Sequence, residues 1–476
     1  MPYKTLIGLE IHVELATKTK MFCSCANEFG KDANTLCCPV CLGLPGALPV
    51  VNKSALEYAI RAGLAFNCNI ATHSMMDRKN YFYPDLVKGF QITQSDIPLC
   101  SGGYIEVDSK NGPKKVGLIR IHIEEDTGKS IHTDRGDSLL DYNRSGVPLI
   151  EIVTRPDMNT KEEAQDFLEK LKSTLQYIEV SDCKMEEGSL RCDINLNVID
   201  EERGLKTNIT EIKNLNSFSA VGKAIEYEEK RHIALLEEGK NTTRETRRWN
   251  EVENKTVVMR TKEVAADYRY NTEPDIAPIV IEESWIEEIR RNLPELPHHK
   301  KARFIREYGI PEYDAGVLTQ SKDLSFFFEE TVKFAKDPKQ VSNWIMGDVL
   351  YRLNEEGIDI KDLRFSPKDL ADLLELINEG KISNNIGKKV LKDMFETGKK
   401  PEDIVKGKGL VQISDEGELK GIVNKVLDEN QKSVMDYKNG KDKALGFIIG
   451  QVMKATKGKA NPQLVNKLVL EALKEK

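Results

Sequence analysis

The sequence predicts an α+β fold, with a largely antiparallel sheet in its first part and two all-α domains after it. Three observations carry this expectation. Strand-like runs with period-two alternation recur through the first 290 residues or so, whereas apolar residues at helical spacing take over beyond Pro294 and Pro297. A length of 476 residues, at about 150 per domain, leaves room for roughly three cores. The expected boundaries are 1–292, 293–405 and 406–476.

The run Thr5 to Glu14 opens the chain with Ile7, Leu9, Ile11 and Val13 on one face and Glu10, His12 and Glu14 on the other. Arg191 to Val198 repeats the pattern, setting Arg191, Asp193, Asn195 and Asn197 opposite Cys192, Ile194, Leu196 and Val198; Thr207 to Leu215 continues it with Glu211 and Lys213 on one side. Strands with one apolar face belong to antiparallel or mixed sheets, since parallel sheets bury both faces. Between them, Thr160 to Tyr177 reads as a helix capped by Thr160, with acids at Glu162 and Glu163 and a stripe of Ala164, Phe167, Leu168, Leu171 and Leu175 to lie on the sheet. In the helical part, Ser366-Pro367-Lys368-Asp369 signals a start, Leu370, Leu373, Leu374 and Ile377 form the buried stripe, and Gly380 marks the stop. Lys406-Gly407-Lys408-Gly409 reads as a joint, and Asn461-Pro462 caps a last amphipathic helix.

Hydrophobic residues at 39% and charged residues at 31% fit a soluble globular chain and exclude a disordered or collagenous one. Neither a secretory leader nor a bilayer-spanning run is visible, so the cytoplasm is the expected compartment and no membrane is a partner. The net charge of -7 argues against a nucleic-acid partner until it is read by region. Lys432 to Lys476 holds ten Lys against four acids, a local excess of six, which leaves about -13 on the rest. A basic end on an acidic body is able to grip a phosphate backbone, although a solvated Lys-rich surface has the same composition.

Five of the nine Cys crowd between Met21 and Leu42, as Cys23-Ser24-Cys25 and Cys37-Cys38-Pro39-Val40-Cys41. Two short Cys pairs a dozen residues apart suit tetrahedral Zn²⁺, with Cys23, Cys25, Cys38 and Cys41 as ligands and Cys37 able to replace Cys38 if the turn is set differently. Four thiolates leave no open position, so such an ion would be structural. Carboxylates inside apolar strands point to a second site. Glu151 interrupts Pro148 to Val153, and Glu124-Glu125-Asp126 ends the apolar run from Ile119. Buried carboxylates need a cation, a metal or a proton. Glu10, His12, Glu125, Glu151 and Asp193 together offer the ligands of a hard ion such as Mg²⁺ carrying phosphate oxygens, with Lys79, Arg120, Arg144, Arg191 and Lys213 as surrounding cations for a transferring phosphoryl group. Asp126-Thr127-Gly128-Lys129-Ser130 ends like a phosphate-binding loop but has Ile123 where the motif needs its first Gly. Pro2 stands where N-terminal-nucleophile glutaminases carry Cys.

Gly8 to Leu15, Cys38-Pro39-Val40-Cys41-Leu42-Gly43-Leu44-Pro45-Gly46, Asp77-Arg78-Lys79-Asn80-Tyr81-Phe82-Tyr83-Pro84-Asp85, Glu186 to Asp193, Lys213 to Phe218 and the closing Lys454 to Pro462 together resemble the B subunits of the bacterial glutamyl-tRNA(Gln)/aspartyl-tRNA(Asn) amidotransferases. The resemblance implies a cradle-shaped catalytic domain related to glutamine synthetase, a helical domain and a small helical tail that contacts tRNA. It also implies Mg²⁺- and ATP-dependent phosphorylation of the side-chain carboxylate of a misacylated tRNA. Ammonia from an amidase partner, the A subunit, then displaces phosphate, and a small C subunit holds the pair together. Carried over, Glu10, His12, Glu125 and Glu151 are metal-site candidates; Lys79, Tyr81, Arg191, Asp193 and Lys213 are candidates for phosphate or aminoacyl contacts; Lys88 is a polar channel residue; and Lys454, Lys457 and Lys459 belong to the tRNA-binding tail. The chain departs from the family where Asn271-Thr272 replaces Phe-Pro and where Arg155 replaces an acid before Pro156-Asp157.

Overall fold

A computed structural model of the chain describes residues 3–133, 135–261, 267–410, 416–438, 441, 443–456, 460 and 462–475. It divides into two units, Met1–Leu296 and Pro297–Lys476.

Period-two alternation makes the sheet of the first unit. Its eleven strands run in the order Lys255–Thr261, Glu245–Asn250, Thr210–Lys213, Leu190–Asp200, Tyr3–Glu14, Pro148–Thr154, Gly112–Glu125, Cys100–Ser101 and Asn69–Ile70, with Leu205–Lys206 and Tyr104–Ser109 as side branches. Neighbours are antiparallel except for Thr210–Lys213 beside Glu245–Asn250, a parallel pair joined by the helix Phe218–Glu237. Register turns sequence alternation into transverse rows. Cys192, Ile11, Ile152 and Ile121 lie side by side on successive strands, and all four are buried. That face forms one core with Lys53–Ala65 and Lys161–Tyr177, the latter through Ala164, Phe167, Leu168, Leu171 and Leu175 as its stripe predicts. Thr160 caps this helix by accepting from the Glu163 N–H at 3.2 Å. The next row, one residue on, is Arg191, His12, Glu151 and His122. Those side chains therefore stand together on the opposite face.

A smaller three-stranded sheet forms a wall beside that polar face. Asp77–Asn80 pairs with Phe90–Thr93 on one side and with Asn271–Thr272 on the other. Asn271-Thr272, where the resemblance expects Phe-Pro, is this short strand, and Asn80 Nδ2 donates to Asn271 Oδ1 at 3.0 Å. Arg155 is exposed and lies against Gly117, where an added Cβ would come within 2.8 Å of the Arg155 side chain.

The regular elements among the described residues of the second unit are all helices, with two apolar clusters. One gathers Phe304, Phe328, Val341, Leu370, Leu374 and Val390 among the helices up to Pro401–Gly407. Pro367–Asn378 starts on a capping box between Ser366 and Asp369, and the predicted stop at Gly380 has φ +71°. Lys406-Gly407-Lys408-Gly409, read as a joint, instead begins inside Pro401–Gly407. The other cluster joins Leu419, Val423, Ile448, Val452, Val465 and Leu468 from the helices after Glu416. No helix among the described residues is long and apolar enough to cross a membrane.

Candidate active site

The polar face of the sheet floors a cleft of about 950 Å³ within the first unit. Glu10, His12, Lys79, Tyr81, Glu151, Arg191, Asp193 and Lys213 all line it, so the structure brings together eight of the nine metal-site and contact residues expected there. Glu125 is the exception. On a strand successive side chains face opposite ways, and on Gly112–Glu125 it is Arg120, His122 and Glu124 that enter the cleft.

At the centre His12, Glu124 and Glu151 place their ligand atoms within 4.8 Å of one another. His12 Nε2 is 3.4 Å from Glu124 Oε1 and 3.6 Å from Glu151 Oε2. From the other side His122 Nε2 lies 3.7 Å from Glu124 and 3.5 Å from Glu151. Burial pushes the Glu124 carboxyl up, yet hydrogen bonding and charge from His12 and His122 hold it well below the ordinary carboxylate range. Burial opposes protonation of His12 as well, but Glu124 and Glu151 raise it overall. One imidazole and two carboxylates from three strands suit a hard divalent cation. Glu10 stands beside this group rather than in it: Asn195 Nδ2 donates to its carboxylate at 2.8 Å, and burial followed by the Glu151 charge raises its affinity for a proton.

Ordered cations surround the centre. Arg191 bonds Asp126 at 2.5 Å, and Arg144 approaches the same carboxylate at 3.5 Å. Despite burial, Arg191 and then Arg144 keep Asp126 below its ordinary value. Lys213 bridges Asp193 and Glu211, the latter at 3.1 Å. The Lys79 ammonium lies 5.0 Å from the Tyr268 ring centroid and 5.9 Å from that of Tyr81. Burial works against this ammonium, but Glu124 together with Tyr270, Glu151 and Tyr268 raises its pKa overall.

Glu125 instead pairs with Lys88 in a separate cavity of about 140 Å³, lined also by Cys23, Cys41, Arg78, Phe90 and Glu273. Here the four sulfurs of Cys23, Cys25, Cys38 and Cys41 lie within 4.8 Å of one another. Cys37 turns away, 3.9 Å from Asn143 Oδ1, so the turn selects Cys38 of the two alternatives. Lys20 shows that this group suits a metal. It is fully buried, has no carboxylate partner among the described residues, and puts its ammonium 3.6 Å from Cys41 Sγ and 3.3 Å from the Tyr142 carbonyl. A buried ammonium needs a counter-charge, and four thiolates around a divalent ion leave a net negative centre to supply it.

Glu125, expected from the sequence in the cleft, faces the small cavity instead, while His122 and Glu124, not among the expected site residues, enter the cleft. The parity of the run was the available signal, because Arg120, His122 and Glu124 share a face that cannot hold Glu125. Lys20 had no such signal. Lys454 is an exposed residue of Lys443–Ala455 in the second unit, while Lys457 and Lys459 lie outside the described residues.

Residues 5–287 match the family described as "GatB/GatE catalytic domain" and residues 326–473 match "GatB domain". The B subunit of an aspartyl/glutamyl-tRNA(Asn/Gln) amidotransferase from Thermoanaerobacter pseudethanolicus is 58% identical over 99% of this chain and 100% of its own length. Proteins of the same name from Caldicellulosiruptor bescii and Clostridium botulinum are each 56% identical, covering 100% and 99% of this chain and 100% and 99% of their own lengths. With a catalytic-domain match over more than half its length and full-length relatives above half identity, the chain belongs to the family of aspartyl/glutamyl-tRNA(Asn/Gln) amidotransferase B subunits.

Proposed function

We propose that this chain is the amide-forming subunit of a glutamine-dependent carbon–nitrogen ligase acting on Glu-tRNA(Gln) or Asp-tRNA(Asn). A side-chain carboxylate is a poor electrophile. Its oxygen attacks the γ-phosphorus of ATP and ADP leaves; neutral ammonia then adds to the acyl carbon and phosphate departs, giving Gln-tRNA(Gln) or Asn-tRNA(Asn). One observation carries the reading: the His12, Glu124 and Glu151 centre sits in a cleft ringed by Lys79, Arg191 and Lys213, in a chain 58% identical from end to end to a known B subunit.

His12, Glu124 and Glu151 would hold Mg²⁺, with Glu10 as a neighbouring carboxylate. Bound there, Mg²⁺ supplies positive charge against phosphate oxygens. Lys79, Arg191 and Lys213 offset charge on the transferring group, and Asp193 orients Lys213. Tyr81 walls the aminoacyl end beside Lys79. The Cys23, Cys25, Cys38 and Cys41 group takes a structural Zn²⁺ with Lys20 as its counter-charge. Residues 1–292 are the catalytic domain, a cradle of the glutamine synthetase kind; 293–405 form a helical domain; 406–476 form the tRNA-binding tail with Lys454, Lys457 and Lys459. Ammonia arrives past Lys88 from the partner amidase, the A subunit, while a small C subunit makes up the third member of a cytoplasmic heterotrimer.

The test is Mg²⁺-dependent ATP hydrolysis and amide formation by the reconstituted subunits on each misacylated tRNA. ATP turnover should require the charged tRNA. Turnover without tRNA would reveal a free-standing ligase instead, and tRNA binding with no turnover a non-catalytic module.

A further inference from the structure

The cleft and the small cavity share a wall one strand layer thick. Along Asp77–Asn80, Arg78 faces the small cavity and Lys79 the cleft; along Phe90–Thr93, Phe90 and Ile92 face the small cavity and Gln91 and Thr93 the cleft. The segment closing the wall does the same, with Tyr268 and Tyr270 toward the cleft and Glu273 and Asp275 toward the cavity.

Backbone pairing with Asp77–Asn80 holds that segment, including the Asn80 N–H to Tyr268 carbonyl bond at 2.9 Å, and Arg78 adds a side-chain clamp. Its guanidinium meets the Glu273 carboxylate with two bonds, Nε at 2.7 Å and a terminal nitrogen at 2.8 Å, and reaches Asp275 at 3.4 Å. Glu273 is 1% exposed. Burial raises its carboxyl, and the bond from Arg78, the bond from the Asp275 N–H and the charges of Arg78 and Lys88 together more than reverse this. The guanidinium also lies 4.1 Å from the Phe90 centroid, and Phe90 in turn lies 5.6 Å from the Lys88 ammonium. At the segment's other end Asn80 donates to the Arg269 carbonyl at 2.8 Å. Arg269 needs such an anchor, because its φ of +46° lies in the left-handed region that a side chain disfavours. Tyr268 and Tyr270 flank that strained residue, and Tyr268 is the ring nearest Lys79.

We propose that Arg78 is a positioning residue for amide formation: through Glu273 it pins the 267–275 segment to Asp77–Asn80 and so sets Tyr268 against Lys79. The inference rests on the functional reading above and adds a residue that lies outside the cleft and outside both candidate metal groups. A single ammonium cannot reproduce the two-bond fork. Arg78→Lys nevertheless keeps a positive charge beside the buried Glu273, so the fold has its counter-charge.

In the reconstituted complex, Arg78→Lys should lower kcat by on the order of tenfold to a hundredfold. The loss should be the same whether glutamine or ammonium chloride supplies nitrogen, and KM for the misacylated tRNA should stay unchanged. Asn80→Ala, which removes the side-chain bond to the Arg269 carbonyl and leaves the backbone pairing and the ion pair intact, should lower kcat in the same direction and by less; it decides the matter if Arg78→Lys does not fold. A kcat per folded molecule within about twofold of the parent in the folded variant would overturn the proposal, as would a rise in the KM for tRNA with kcat unchanged. A parent complex that makes no amide on either tRNA would instead bring down the functional reading and leave the clamp as a structural pair.

Discussion

Glu124 and Glu125 are neighbours in sequence and face different cavities, so one Gln substitution at each separates the proposed metal centre from the small cavity. Glu124 contributes one of the two carboxylates in the His12 group, all within 4.8 Å. At an effective dielectric near 20, a unit charge about 4 Å from a carboxylate is worth about 4 kcal/mol. The amide of Glu124→Gln keeps an oxygen, and the open cleft admits water, so about 3 kcal/mol is the loss to expect. That corresponds to roughly a hundredfold weaker divalent binding. Glu125→Gln takes its charge from Lys88, outside the centre, and should leave the metal affinity unchanged. Mn²⁺ binding followed by electron paramagnetic resonance, together with the Mg²⁺ dependence of amide formation, reads both variants. Equal metal affinity in Glu124→Gln and the parent would refute the assignment, and so would a loss in Glu125→Gln as large as that in Glu124→Gln.

Metal content should resolve the cysteine turn: under reducing conditions Cys37→Ser keeps one Zn²⁺ per chain, Cys38→Ser loses it, and atomic absorption on the purified proteins checks both. Glu228 gives an acid limit to stability. It is fully buried among Arg231, Arg247, His232 and Thr256, and although burial opposes ionisation, these partners hold its carboxyl at about 2. A depressed carboxyl stabilises the fold above its unfolded value and loses that contribution as pH falls toward the folded one. About 3 kcal/mol should therefore disappear between roughly pH 5 and pH 2, and urea midpoints of the parent should converge on those of Glu228→Gln at the acid end. Replacing Lys454, Lys457 and Lys459 together by Ala should raise KM for tRNA without changing kcat and should flatten its salt dependence by about two to three in logarithmic slope; an unchanged salt slope would remove the tail from the tRNA contact.

Much of this chain's architecture is local. Period two in Thr5 to Glu14 and in Arg191 to Val198 dictates which residues share a face, and the Thr160 and Ser366 caps mark where helices begin, because alternation, capping and propensity act over a few residues. The Cys pairs are equally readable as a group, since the chain between them is short. Pairing register is another matter. His12, Glu124 and Glu151 meet only because Tyr3–Glu14 pairs with Pro148–Thr154, and that strand with Gly112–Glu125, in one alignment out of several that alternation alone permits. A shift of one residue between Tyr3–Glu14 and Pro148–Thr154 would set Ile150 or Ile152 beside His12 in place of Glu151. The same non-local packing chose Glu124 over Glu125, turned Cys37 toward Asn143, buried Lys20 beside the thiols and clamped Arg78 onto a carboxylate almost two hundred residues away. Contacts between distant segments are decided by how whole faces bury against one another, which no short stretch of residues encodes.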